Sequence, residues 1–188
     1  WTLASPSTSP PGRFGAALGF DSNRGRLVMH GGGTFAGSAE DVRRQDEWEW
    51  DGNAWVEVYR GAQGTSYNLV FRDPARAQPV LTQTGYSNTL GYSSYVWSGS
   101  GWRSIGPSSM APGSYWSWTD LVANATFAYE TNHRSMWRWL GTDWQEVTAG
   151  IQPPPRSFPG LAYDTSRGVL VMFGGTAYNP LGDTWEWD

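Results

Sequence analysis

The feature that most restricts how this chain can fold is that it repeats itself. The segment from Arg13, RFGAALGFDSNRGRLVMHGG, returns from Arg156 as RSFPGLAYDTSRGVLVMFGG. Alignment sets Arg13 on Arg156, Asp21 on Asp164, Arg24 on Arg167, and Gly31-Gly32 on Gly174-Gly175. Each copy then reaches a Trp-Glu-Trp-Asp run, Trp48 to Asp51 and Trp185 to Asp188. Two weaker copies lie between them. Tyr95-Val96-Trp97 is followed by Trp102, and Trp137-Arg138-Trp139 by Trp144, at the interval that separates Trp50 from Trp55. The second Trp falls at 50, 97, 139 and 187, in steps of 47, 42 and 48, and 188/4 is 47. Self-similar units of this length fold as an array in which each unit buries its neighbour's face.

Each unit reads as four short strands. In the first, Phe14 to Phe20 is strand one, Arg26 to His30 strand two, Glu47 to Trp50 strand three and Trp55 to Val58 strand four. The SNRG, GGG and DGN segments between them are turn chemistry. Composition agrees, with 24 Gly, 12 Pro and 13 Trp in 188 residues and only 16% charged residues, a balance of turns and large rings that favours β-structure over helix. Trp-x-Trp spacing puts both rings on one face of strand three, where they can fill the wedge between adjacent sheets. Four-stranded units repeated about an axis make a propeller.

These residues resemble the kelch repeat family. The likeness rests on the apolar strand ending in Gly-Gly (Gly31-Gly32, Gly174-Gly175), on the preceding Asp and Arg-Gly turn (Asp21, Arg24-Gly25; Asp164, Arg167-Gly168) and on the aromatic pair that follows. It is strong over residues 10–60 and 151–188 and weak over 61–150, where Thr84-Gly85 stands in for the glycine pair. The resemblance implies an all-β fold. The expectation is a small propeller of four blades, near 10–60, 61–107, 111–150 and 151–188 plus 1–5. The fourth copy lacks its last strand, and Trp1-Thr2-Leu3-Ala4 matches it, with Trp1 in the place of Trp55, Trp102 and Trp144. The reading therefore expects a monomer closed by its N-terminal strand, the alternatives being a four-repeat fragment of a longer array or a half-ring that pairs with a second chain.

Charge and residue usage exclude several functions. Thirteen Lys and Arg against 17 Asp and Glu give 13 − 17 = −4, so no basic stripe exists for nucleic acid. With no cysteine the chain has no disulfide, thiolate metal site or cysteine nucleophile. Oxidase chemistry of the kind found in some kelch enzymes needs a cysteine-modified tyrosine and is excluded with them. Apolar runs such as Val169 to Phe173 are too short to span a bilayer, and the Trp1 start resembles no signal peptide, so a soluble protein of undetermined compartment is expected. Gly-x-Ser-x-Gly, HExxH and phosphate-cradling glycine loops are absent.

The candidate site residues are those the repeat leaves over. Eleven tryptophans belong to the repeat; Trp116 and Trp118 do not, and with Tyr115 they fall on the innermost strand of the third unit. They are either filler or a stacking platform for a sugar or other planar ligand. Arg13 and Arg156 stand at the head of strand one, where the kelch resemblance implies a structural role. Facing a channel mouth instead, they would clamp a carboxylate, sulfate or phosphate ester. His30, at the end of strand two, and His133, after Glu130, lie at the same end of their units. With Glu130 they would serve as general base or hold a divalent metal, the one cofactor these residues suggest. The charged loop Thr34 to Asp46, with Glu40, Asp41, Arg43 and Arg44, is a solvated rim or a lid over the mouth. Two functions follow, beside a third reading as a purely structural module of a larger surface protein with no small-molecule site. The first is a binding or interaction module for a small-molecule, carbohydrate or peptide ligand at the channel mouth. The alternative is a small hydrolase or lyase with His30 or His133 as base or metal ligand and the two arginines stabilising negative charge.

Overall fold

The computed structural model describes residues 3–36, 39–60, 68–83, 92–110, 115–120, 122–130, 134–147 and 150–188. Every regular element in them is a strand. The first sheet is β1 (Ala17–Asp21), β2 (Arg26–His30), β5 (Asp46–Trp50) and β6 (Trp55–Arg60), with a hairpin of β3 (Gly33–Ala36) and β4 (Ala39–Arg43) inserted between β2 and β5. The second is β7 (Asn68–Asp73), β8 (Gln78–Gln83), β9 (Tyr92–Trp97) and β10 (Trp102–Ser108). The third is β11 (Tyr115–Asp120), β12 (Ala125–Glu130), β13 (Ser135–Trp139) and β14 (Trp144–Glu146). A three-stranded fourth sheet holds β15 (Gly160–Asp164), β16 (Val169–Phe173) and β17 (Thr184–Trp187). All are antiparallel meanders. No helix among the described residues is long and apolar enough to cross a membrane.

One turn recurs four times and sets each sheet's first hairpin. The aspartate that ends the inner strand accepts, on Oδ1, the backbone N–H groups two and three residues on. Asp21 takes Asn23 and Arg24 at 3.1 and 3.2 Å, and Asp73 takes Ala75 and Arg76 at 2.8 and 3.2 Å. Asp120 takes Val122 and Ala123 at 2.8 and 3.0 Å, and Asp164 takes Ser166 and Arg167 at 2.9 and 3.1 Å. Such Asx turns satisfy donors that the ladder leaves behind. The fourth residue after the aspartate has positive φ in every copy: Gly25 at 64°, Ala77 at 56°, Asn124 at 50° and Gly168 at 73°. Only two of these are glycine, which is why the middle copies hide in the sequence.

The inner strands run side by side in chain order, β1 beside β7, β7 beside β11 and β11 beside β15, giving a propeller-like arc. The tryptophan face of each sheet packs on its predecessor. Phe71 of the second sheet meets Trp139 and Trp144 of the third edge-on, at 5.1 and 4.8 Å between centroids. In the next wedge Trp187 meets Phe127 at 5.1 Å. Burying one such ring removes about 200 Å² from water, on the order of 5 kcal/mol before entropic costs. Two core clusters result, one around Phe71, Val80 and Trp144, the other around Tyr129, Leu170 and Met172.

The structure corrects the sequence reading in places. Strand one starts at Ala17, not Phe14, because Gly15 at φ 64° breaks the extended run and Phe14 makes only an isolated bridge to Gly33. The expected loop from Thr34 carries the β3–β4 hairpin, on which Glu40, Asp41 and Arg43 lie. Ring closure is not seen among the described residues. Leu3 is 90% exposed and outside any strand, β17 has no fourth strand beside it, and no packing like that of the other inner strands joins β15 to β1. Thr8 instead bonds Trp55 of the first sheet through its carbonyl and its hydroxyl. Trp1 and Thr2 lie outside the described residues.

Candidate functional site

The rim where inner strands begin and second strands end gathers most of the candidates. Arg13 and Arg156 stand there in matching frames. Arg13 bonds the Gly31 carbonyl at 2.8 Å and both carboxylate oxygens of Asp46, at 2.6 and 2.8 Å, while its Nε bonds the Pro11 carbonyl at 3.1 Å. Arg156 repeats this on Gly174, Asp183 and Pro154, at 2.8, 2.6 and 2.8, and 3.2 Å. Each aspartate also accepts the indole N–H of the first tryptophan of its pair, Trp48 at 2.8 Å and Trp185 at 2.6 Å. Burial pushes the Asp46 carboxyl up, but hydrogen bonds from Arg13 and Trp48 outweigh it and hold it at about 2. Both guanidinium groups are thus engaged with their own chain, their side chains 5% and 0% exposed. They join the double glycine, the proline segment and the tryptophan strand of one unit.

His30 is 3% exposed, at the end of β2, with Nδ1 2.7 Å from Glu47 Oε1 across the β2–β5 ladder. Its ring stands edge-on to Trp102 of the second sheet, 6.0 Å between centroids. Among the described residues, His30 Nε2, Glu47 Oε2 and Trp102 Nε1 are buried without a hydrogen-bond partner. A carboxylate on Nδ1 fixes the imidazole and leaves Nε2 as the basic nitrogen, the arrangement of an oriented general base. Sequence reasoning missed Glu47. The available signal was its place immediately before Trp48, opposite His30 once strands two and three are paired.

Trp116 and Trp118 part company. Trp118 stacks on Phe127 at 5.5 Å and Tyr163 at 6.3 Å and meets Trp187 edge-on at 6.2 Å, inside the wedge between the third and fourth sheets. Tyr163 closes that wedge by donating to Asp120, and this bond, with burial, pushes its phenol up to about 12. Trp116 stands nearer the rim and is 47% exposed. The Tyr115 side chain and His133 lie outside the described residues. Glu130 is fully buried in the third sheet, separated from His30 by the second. The described residues contain no group of three or more metal-ligating side chains. Near the rim of the third and fourth sheets a small cleft opens between Tyr129, Met136, Ile151 and Trp185.

No protein-family model and no curated protein matches the chain. Solved structures do. A protein described as YjhT superposes with a TM-score of 0.60 at 14% identity, over 89% of this chain and 61% of that one. A fungal alcohol oxidase of the AA5 family, solved in complex with copper, superposes with a TM-score of 0.54 at 15% identity, over 93% of this chain and 41% of that one. The chain therefore spans less than two thirds of either neighbour, and at these identities the likeness is one of fold.

Proposed function

We propose that the four sheets are consecutive kelch-type blades and that the chain works as a binding module for a carbohydrate or a peptide segment, held at the rim where the inner strands begin. The observation that carries this reading is the contrast on β11. Trp118 is stacked into the core, whereas Trp116, two residues earlier on the same rigid strand, leaves 47% of its surface to solvent. A planar ring fixed on a strand offers a stacking surface at little entropic cost. The test is a titration of glycan and peptide panels followed by tryptophan fluorescence. Trp116→Ala should weaken the ligand so found by tenfold or more, about 1.4 kcal/mol, with an unchanged melting temperature. A ligand that binds the variant as tightly as the parent places the site elsewhere.

The His30–Glu47 pair supports a second reading, a small hydrolase or lyase with His30 Nε2 as base. Arg13 and Arg156 lend it little, since both are held by aspartates of their own units. If screening for ester, phosphate or sulfate hydrolysis finds turnover, His30→Gln should lower it by about 10² to 10⁴. Turnover that survives the substitution ends this reading.

A further inference from the structure

The first and fourth sheets build the entry to their inner strands on one frame. Ser157 and Thr176 exchange backbone hydrogen bonds of 2.8 and 2.9 Å, as Phe14 and Gly33 do at 2.9 Å each. Arg156 holds the Gly174 carbonyl as Arg13 holds that of Gly31. Gly175 and Gly32 pack so closely that a Cβ on either would stand 2.8 Å from the carbonyl oxygen of Ser157 or Phe14. The residue held between these fixed points has positive φ in both sheets, 64° at Gly15 and 54° at Phe158. Glycine takes that conformation freely. A phenylalanine takes it only under strain, the more so ahead of Pro159, because a residue before proline is driven toward extended backbone.

Burial does not offset that strain, since Phe158 is 85% exposed. The exposure belongs to the position. Gly15 occupies it in the first sheet, which has the second packed against it, and still nothing lies within 4 Å of a would-be Cβ there. Strained residues of this kind gather where a side chain meets a ligand. The neighbouring inner strand brings Trp116 to the same corner. Counting back from the turn aspartates, 120 − 116 = 4 and 164 − 160 = 4, so Trp116 on β11 lies level with Gly160 on β15, two residues on from Phe158. The two-residue period of the strand turns Trp116 to the side of Trp118, toward the fourth sheet. At Gly160 the backbone lies bare, the closest atom to a would-be Cβ being the Phe173 carbonyl oxygen at 3.7 Å. The charged pair of this frame, Arg156 and Asp183, is bonded within itself.

We infer that Phe158 is a ligand-contacting residue, which with Trp116 holds a neutral saccharide whose rings present flat C–H faces to the two aromatic side chains. Its strained backbone is kept for that contact. The inference rests on the reading of the rim as a binding site and names the ligand class for it. Both aromatic rings offer stacking faces on fixed backbone, and the bare backbone at Gly160 leaves room for hydroxyl groups. An uncharged ligand asks for no counter-ion, and Arg156 and Asp183, engaged with each other, supply none. A peptide with charged side chains lacks partners at this corner.

Cellotetraose is the probe, because every hydroxyl on its rings is equatorial and both faces of each ring are C–H. Titration of the intact chain, followed by calorimetry and tryptophan fluorescence, should show binding that Trp116→Ala and Phe158→Gly each weaken at least tenfold and Phe158→Tyr retains. Phe158→Gly should at the same time melt no lower than the parent, because glycine fits this frame as Gly15 does. A packing residue would lose stability and affinity together, so a lower melting temperature overturns the inference. Weakening by Trp116→Ala but not by Phe158→Gly also overturns it, and leaves the rim reading standing. Weakening by neither overturns both. No binding of cellotetraose up to about 10 mM, or binding of decaproline in its stead, overturns the saccharide and the inference with it.

Discussion

The Arg13–Asp46 and Arg156–Asp183 clamps show how single residues hold this fold. Each guanidinium is buried, and removing it strands two carbonyls and leaves its aspartate with only the indole N–H of the neighbouring tryptophan in place of a bidentate ion pair. Breaking one partner of a buried pair costs about 3 to 5 kcal/mol, so Arg13→Met, which leaves the buried Asp46 carboxylate without its guanidinium, should lower the urea-derived unfolding free energy by about 3 kcal/mol. Asp46 adds a pH dependence. Its carboxyl is held at about 2, below its ordinary value of 3.8, so its contribution is present above about pH 4 and disappears as pH falls through 2. Melting temperatures between pH 5 and 2 should fall more steeply for the parent than for Asp46→Asn. Truncating the stacked ring in Trp118→Ala should cost about 3 to 5 kcal/mol, in contrast to Trp116→Ala. The arginines could be read from the sequence because they repeat. Their aspartates could not, since Asp46 and Asp183 matter only once β5 and β17 are seen to start beside the double glycine.

Among the elements, the most informative is the inner strand. Gly19 brings β1 close to the second sheet: a Cβ there would stand 2.5 Å from Val70 Cγ1 and 3.1 Å from Pro79 Cβ. Gly19→Ala should therefore destabilise by about 1 to 3 kcal/mol through overpacking, measured by denaturant titration. In the first unit strands two and three were legible to within a residue, because apolar runs and Trp-x-Trp pairs have no other periodicity to obey. Strand one was not, since its limits are set by Gly15 and by the Asx turn. In the middle copies that turn carries Ala77 and Asn124 in place of glycine. The signal that would have found it is the aspartate alone, at 21, 73, 120 and 164. The β3–β4 hairpin was hidden because charge suggests a solvated segment whether or not its backbone is paired.

For the whole molecule, repeat arithmetic was the strongest guide. Four units about 47 residues apart become four antiparallel sheets in chain order, each laying its tryptophan face on its predecessor. Completion of the fourth sheet could not be read, because a strand that matches by register is equally suited to its own chain or to a neighbour's. The candidate site was legible only in part. Surplus rings could be named, but which of Trp116 and Trp118 stays exposed depends on how the fourth sheet packs. The first three sheets are joined in this order by a tryptophan of one and a carboxylate of the other, and the fourth joins the third through Tyr163 and Asp120. A double-mutant cycle on Trp97→Phe and Glu49→Gln measures the first of these bonds directly. The charged hydrogen bond predicts a coupling of about 1.5 kcal/mol or more. A coupling within error of zero would contradict the packing of the second sheet on the first.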